Sequence, residues 1–177
     1  MKVTVIMVAT INGKITRGDT TDIYSWTSKE DQDYFFTFIQ KYPLVVMGSG
    51  TYEAIRKNIK PQSTRKRLIL TSDPKRYQHE EIKGEIEFTN DPPQDLITRL
   101  EKEGYKEMLL LGGGKTNKSF FEAGLVNELF LTIEPRLFGK GKSLISDGQY
   151  ELKLSLLSQR LLNDSGTLLL HYEVKPS

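Results

Sequence analysis

The apolar positions of this chain change period several times, and each change marks a predicted element. Residues 2–10 are apolar from Val5 on, too short to span a bilayer, and alternate into a first core strand. Ile11-Asn12-Gly13-Lys14-Ile15 reads as a turn into a polar loop rich in Gly, Asp and Thr, and a long loop in a compact domain is usually functional. Ser28 then has the chemistry of a helix cap. Asp31 follows three residues later, and Tyr34, Phe35, Phe38 and Ile39 recur at helical spacing, predicting a helix that ends near Pro43.

Residues 44–47 are continuously apolar, as in a parallel strand covered on both faces, and run into Gly48-Ser49-Gly50-Thr51 and a short helix through Arg56. A third strand is expected at 67–71, a turn at Ser72-Asp73-Pro74, a charged and exposed connection at 75–83, and a short edge strand at 85–88. Asp91-Pro92-Pro93 opens a helix with Leu96, Ile97 and Leu100 on one side and Gly104 as its stop. The apolar run 108–111 ends in Gly112-Gly113-Gly114; a short helix follows through Ser119, Phe120, Phe121 and Leu125, then a strand at 126–134 closed by Pro135. Two long strands, 152–162 and 167–174, are joined by Asn163-Asp164-Ser165-Gly166, which is hairpin chemistry. The order predicts one α/β domain over residues 1–177, three layers deep, with a mostly parallel sheet and a C-terminal antiparallel hairpin.

Composition narrows the chemistry. The chain has no cysteine, which excludes disulfides, Cys-ligated metal and thiol catalysis and suits a cytoplasmic home. A net charge of +2 with scattered Lys and Arg predicts neither nucleic acid nor membrane as a partner, while small anions remain suitable ligands. The two histidines, His79 and His171, have no ligand partners at useful spacing, so no metal site is expected.

Glycine carries the strongest local signal. Gly112-Gly113-Gly114 separates an apolar strand from Lys115-Thr116, and a strand end that exposes its N–H groups at a helix start cradles anions. Gly114-Lys115-Thr116 suggests a triphosphate loop, but the required first glycine falls on Leu109, inside the strand. A second strand–glycine–helix unit stands at Gly48 to Thr51; Glu53 occupies the place of the third glycine of a Rossmann fingerprint. Both turns still favour close backbone approach to a phosphate.

Several segments, in this order, resemble the dihydrofolate reductase superfamily, and most closely the riboflavin-biosynthesis reductases of the RibD C-terminal domain family. They are Val8-Ala9 with Asn12-Gly13-Lys14-Ile15, Trp26, residues 46–55, residues 65–72, the glycine triplet and Gly124-Leu125-Val126-Asn127-Glu128-Leu129. The resemblance covers nearly the whole chain. It implies NADPH as cofactor, with the backbone at Gly48, Ser49, Gly50 and Thr51 and at Gly112, Gly113, Gly114, Lys115 and Thr116 holding the pyrophosphate. It further implies Thr71 and Ser72 at the adenosine 2′-phosphate and Ala9 near the nicotinamide. The implied chemistry is hydride transfer to a heterocyclic small-molecule substrate, and homodimers are expected by analogy.

Two branches of the superfamily share the remaining matches. Trp26, Asp31, Arg65 and Thr132 resemble the substrate-binding set of dihydrofolate reductase, with Asp31 as the acid and Thr132 beside it. Asn12 and Lys14, Ser25 to Ser28, and residues 121–139 are closer to the riboflavin-pathway enzymes, which reduce 5-amino-6-(5-phosphoribosylamino)uracil. The resemblance therefore implies catalytic roles for Asp31, Lys14 and Thr132 and substrate contacts for Asn12, Trp26 and Arg65. A nucleotide-binding protein that has lost catalysis is a third reading, since Gly112 stands where the riboflavin reductases place an acid.

Overall fold

The computed structural model describes residues 1–175. Eight strands form one sheet: β1 (Lys2–Thr10), β2 (Leu44–Gly48), β3 (Lys66–Leu70), β4 (Ile86–Thr89), β5 (Glu107–Leu110), β6 (Glu128–Glu134), β7 (Leu154–Leu161) and β8 (Leu168–Val174). Their spatial order is β4-β3-β2-β5-β1-β6-β8-β7. Neighbours pair parallel from β4 to β6, and β8 is antiparallel to both β6 and β7. The sequence-predicted α/β fold with a closing hairpin is the observed one.

Helices cover both faces, which is why the central strands read as unbroken apolar runs. Helix α1 (Lys29–Ile39) and helix α2 (Ser49–Ile55) cover one face; helix α3 (Pro93–Lys102) and helix α4 (Gly114–Glu122) cover the other. Alternation along each strand divides its side chains between the two layers. Leu44, Val46, Met108 and Leu110 pack with Leu96, Leu100 and Phe120, whereas Val45, Met47, Leu109 and Leu111 pack with Phe38 and Tyr52.

Two expectations need correction. The connection after the third strand is not uniformly exposed: Pro74–Glu80 winds as a 3₁₀ helix capped by Asp73, and its Tyr77 is only 3 % exposed, stacked on Phe88. A single aromatic among charged residues sets no period, so the pattern hides the element. The hairpin's first strand starts at Leu154, two residues later than expected, and a register shift between Leu156 and Ser158 kinks this edge strand. Among the described residues no helix is long and apolar enough to cross a membrane.

Candidate active site

The site begins where two strands part. β1 pairs with β5 only from Lys2 to Val5, then continues against β6 as far as Thr10. Beyond Val5 a crevice opens between the C-terminal ends of β1 and β5, the usual ligand position in such sheets. It is a cavity of about 820 Å³, floored by Ile6, Met7, Val8 and Leu111.

One end of the cavity is built from backbone. Gly48 and Gly113 are the N-caps of α2 and α4; neither helix has a side-chain cap bond or an acidic residue in its first turn. Their leading N–H groups are left for a ligand. Gly48 N–H donates to the Gly112 carbonyl at 2.8 Å, so the two turns are held together. Both turns need glycine for space. A Cβ on Gly48 would collide with the Thr116 hydroxyl, and one on Gly114 with the Ser143 carbonyl oxygen. Gly112 has φ +76°, and a Cβ there would lie 2.8 Å from the Met7 sulfur, which leaves no room for an acidic side chain. The Gly112–Gly113 peptide is cis. Ser49, Gly50, Thr51, Thr71, Ser72, Lys115 and Thr116 complete this wall.

The opposite end is built from side chains. The Ser28 hydroxyl caps α1, accepting from Asp31 N–H at 3.3 Å, and Glu30 and Asp31 place acids in its first turn, unlike α2 and α4. Asp31 lines the cavity yet is 6 % exposed. Burial raises its pKa to about 6, helped by the nearby Glu134 charge and opposed by a hydrogen bond from Thr132. An acid with that value can both hold and release a proton near neutrality. Tyr24, Thr27, Gln32 and Phe35 surround it.

Glu134 has no counterpart among the residues that the sequence singles out. It is 3 % exposed, its Oε1 accepts from Ser28 N–H at 2.6 Å, and its Oε2 accepts from the Thr167 hydroxyl at 2.9 Å. It thus ties the start of the acid-bearing helix to β6 and to the hairpin. Its partners are far apart in sequence, so no local signal marks it.

Of the residues expected at the site, the structure brings Asp31, Gly48, Ser49, Gly50, Thr51, Thr71, Ser72, Gly113, Gly114, Lys115 and Thr116 to the cavity wall. Seven others do not line it. Ala9 is fully buried, Gly112 lies beneath the turn, and Thr132 reaches the site through Asp31. Trp26 packs edge-on against Phe138, with ring centroids 5.3 Å apart. Asn12 grips the Phe138 backbone from both sides, donating to its carbonyl at 2.8 Å and accepting from its N–H at 3.2 Å. Lys14 reaches Ser143, which itself lines the cavity. Arg65 binds the Tyr42 carbonyl, Gln62 and Gln40, away from the cavity.

Asn12 belongs to a larger clasp. Ile11 N–H donates to the Arg136 carbonyl, Ile15 N–H to that of Lys142, Gly18 N–H to that of Lys140, and Leu144 N–H to that of Gly13. Loop 11–18 and loop 136–144 are thereby zipped into one rim, which places Ile15, Thr16, Lys142 and Ser143 on the cavity.

The fold agrees with the comparisons. The RibD C-terminal domain pattern matches residues 1–165. The uncharacterized protein YyaP of Bacillus subtilis is 28 % identical over 151 residues, covering 80 % of each chain. A pyrimidine reductase-like protein from Corynebacterium diphtheriae superposes with TM-score 0.82 at 15 % identity, over 99 % of this chain and 92 % of its own. Dihydrofolate reductase from Enterococcus faecalis, complexed with NADP(H), superposes with TM-score 0.67 at 17 % identity, over 98 % and 94 %. With strands β1 to β7 and both glycine turns inside the matched span, the chain belongs to the RibD C-terminal domain family.

Proposed function

We propose that this protein is an NADPH-dependent reductase that transfers hydride to a pyrimidine- or pterin-like heterocycle. The observation that carries the reading is one cavity with two uncapped helix starts at one end and a buried acid at the other.

The residues present fit a dinucleotide phosphate. Gly48 to Thr51 and Gly113 to Thr116 would hold the pyrophosphate, since Gly48 and Gly114 have no room for a Cβ and the helix starts have no side-chain caps. Thr71 and Ser72, at the end of β3, would take the 2′-phosphate, with Lys115 as a cationic neighbour. The bound cofactor supplies the hydride. The chain contributes alignment in the crevice, exclusion of water by the clasped rim, and a proton at the Asp31 carboxyl, which Thr132 orients.

Dihydrofolate reduction is the second enzyme reading, favoured by the Asp31–Thr132 pair. Riboflavin-type reduction of a phosphoribosylaminouracil is favoured by the family. Purified protein with NADPH and each substrate separates them by the loss of cofactor absorbance. NADPH at a hundredfold excess over Kd should stabilise the fold by roughly 2.7 kcal/mol. A melting temperature raised no more by NADPH than by ATP sinks the cofactor assignment; NADPH binding without oxidation leaves the binding-only reading. Cytoplasmic residence and a homodimer complete the proposal. Leu154, Leu156, Leu157 and Leu161 on the edge strand β7 are 42–60 % exposed and give a second copy an apolar surface. Light scattering of Leu157→Lys, expected to be monomeric, checks this.

A further inference from the structure

Behind the acid-bearing wall lies a second carboxyl that the proton transfer does not use. On β6, Thr132 and Glu134 are two residues apart and so share one face of the sheet. Thr132 bonds the Asp31 carboxyl, and Glu134 takes the backbone N–H of Ser28, the residue that caps the same helix. The first turn of α1 is thus fastened to β6 at two points.

Hydrogen-bond directions fix the charge state of this second carboxyl. Ser28 N–H can only donate, so Glu134 Oε1 accepts. Asn163 Oδ1 accepts from the N–H groups of Ser165 and Thr167, both at 3.1 Å, which leaves its Nδ2 to donate to the Thr167 hydroxyl at 3.0 Å. The proton of that hydroxyl therefore goes to Glu134 Oε2, at 2.9 Å. Both oxygens accept, which is the pattern of an ionised carboxylate.

The donors that hold Glu134 are uncharged and the side chain is buried, so its charge is neither cancelled nor well screened. Of its charged neighbours around the small cavity behind α1, Glu30 has the same sign and Arg136 is exposed. On the other side of Asp31, Tyr24 is neutral, and the charged wall residues Lys115, Lys142 and Asp147 come from α4 and the loop after β6. Glu134 is the charge that acts on Asp31.

We propose that Glu134 is a positioning residue for the proton transfer: a fixed, charged carboxylate that holds the start of α1 on β6 and, by repulsion, keeps the Asp31 carboxyl in its proton-bearing form. This rests on the reductase reading and deepens it by naming what governs the proton supply at its acid. The sign follows from charge alone. A neighbouring anion disfavours ionisation of Asp31, so removing that anion lets the proton leave at lower pH.

Glu134→Gln tests this, because it keeps an acceptor for Ser28 and a donor for Thr167 while removing the charge. The Asp31 carboxyl is followed across pH by carbon NMR, its resonance assigned by its loss in Asp31→Asn. NADPH oxidation with dihydrofolate and with 5-amino-6-(5-phosphoribosylamino)uracil is measured over the same range. In Glu134→Gln the Asp31 midpoint should fall by at least about 0.5 pH unit, as expected for a charge acting through an effective dielectric constant of about 20. Turnover at pH 7 should fall roughly threefold with it, with NADPH affinity unchanged. A Glu134 that only braces the fold would leave the midpoint in place, and that result overturns the proposal. So does an alkaline limb of turnover that stays put while the midpoint moves. Should the variant not fold, wild type still decides: the Glu134 carboxyl carbon must show the shift of an ionised carboxylate wherever Asp31 titrates, and a protonated Glu134 there overturns the proposal. If neither substrate is reduced while the Asp31 midpoint still falls in Glu134→Gln, the reductase reading fails and the action of Glu134 on Asp31 stands.

Discussion

The two ends of the cavity solve the same problem with different materials. At the glycine end, α2 and α4 start without side-chain caps, and recognition is left to backbone N–H groups whose direction is set by the fold. At the other end α1 is capped by its own Ser28, carries Glu30 and Asp31 in its first turn, and presents side chains. The backbone site tolerates little variation at Gly48, Gly112 and Gly114, where an added Cβ would collide. A side-chain site can be retuned one residue at a time, and this is where a family that shares a cofactor can diverge in substrate.

The largest effect should come from breaking the side-chain end at its acid. Asp31→Asn should lower turnover at least 100-fold, within the range that general acid catalysis contributes, while NADPH affinity stays within about twofold. Stopped-flow oxidation and cofactor titration measure the two. The pH dependence follows from the direction of the shift. The folded carboxyl holds its proton up to about pH 6, against an ordinary value of 3.8, so its stabilising contribution is present below about 3.8 and lost as pH rises through 6. Asp31→Asn should therefore be more stable than wild type at pH 8, by about 2 to 3 kcal/mol, and gain little at pH 4. Wild-type turnover should fall as pH rises past 6, and the variant should lose that limb.

Next in size is the glycine end. Gly114→Ala forces a methyl group onto the Ser143 carbonyl, which should cost about 1 to 3 kcal/mol in stability and weaken NADPH at least tenfold, leaving the pH response of the Asp31 end in place. Denaturant melts and fluorescence titration of the cofactor check both. Asn12→Ala removes both bonds to Phe138 from the rim that bridges the ends, and about 1 to 2 kcal/mol should be lost in a urea melt. Lys115→Ala is the smallest perturbation. Its side chain is solvent-exposed, so NADPH should weaken only about threefold, and salt should erase the difference.

The same contrast governs what is legible in the sequence. Glycines at strand ends encode backbone geometry directly, so Gly48, Gly112 and their neighbours mark both turns by residue type alone. The central strands are equally legible, because burial on both faces leaves continuous apolar runs. Asp31 is marked by the family pattern. Glu134 is not, because its role lies in contacts with Ser28 and Thr167, and Ser28 and Glu134 are separated by 106 positions. Asn12, Trp26 and Arg65 match a substrate-binding pattern in sequence, but their contacts with the Phe138 backbone, the Phe138 ring and the Tyr42 carbonyl depend on where side chains end rather than on which residues they are.

Glu134 has a bearing on how the protein is made. The start of the acid-bearing helix is bound to Glu134, and Glu134 is bound to Thr167, which is synthesised after both glycine turns and after strands β1 to β7. The glycine turns and the strands that carry them emerge from the ribosome much earlier. The wall that carries Asp31 therefore depends on a residue made after both glycine turns, so its anchoring follows theirs in the order of synthesis.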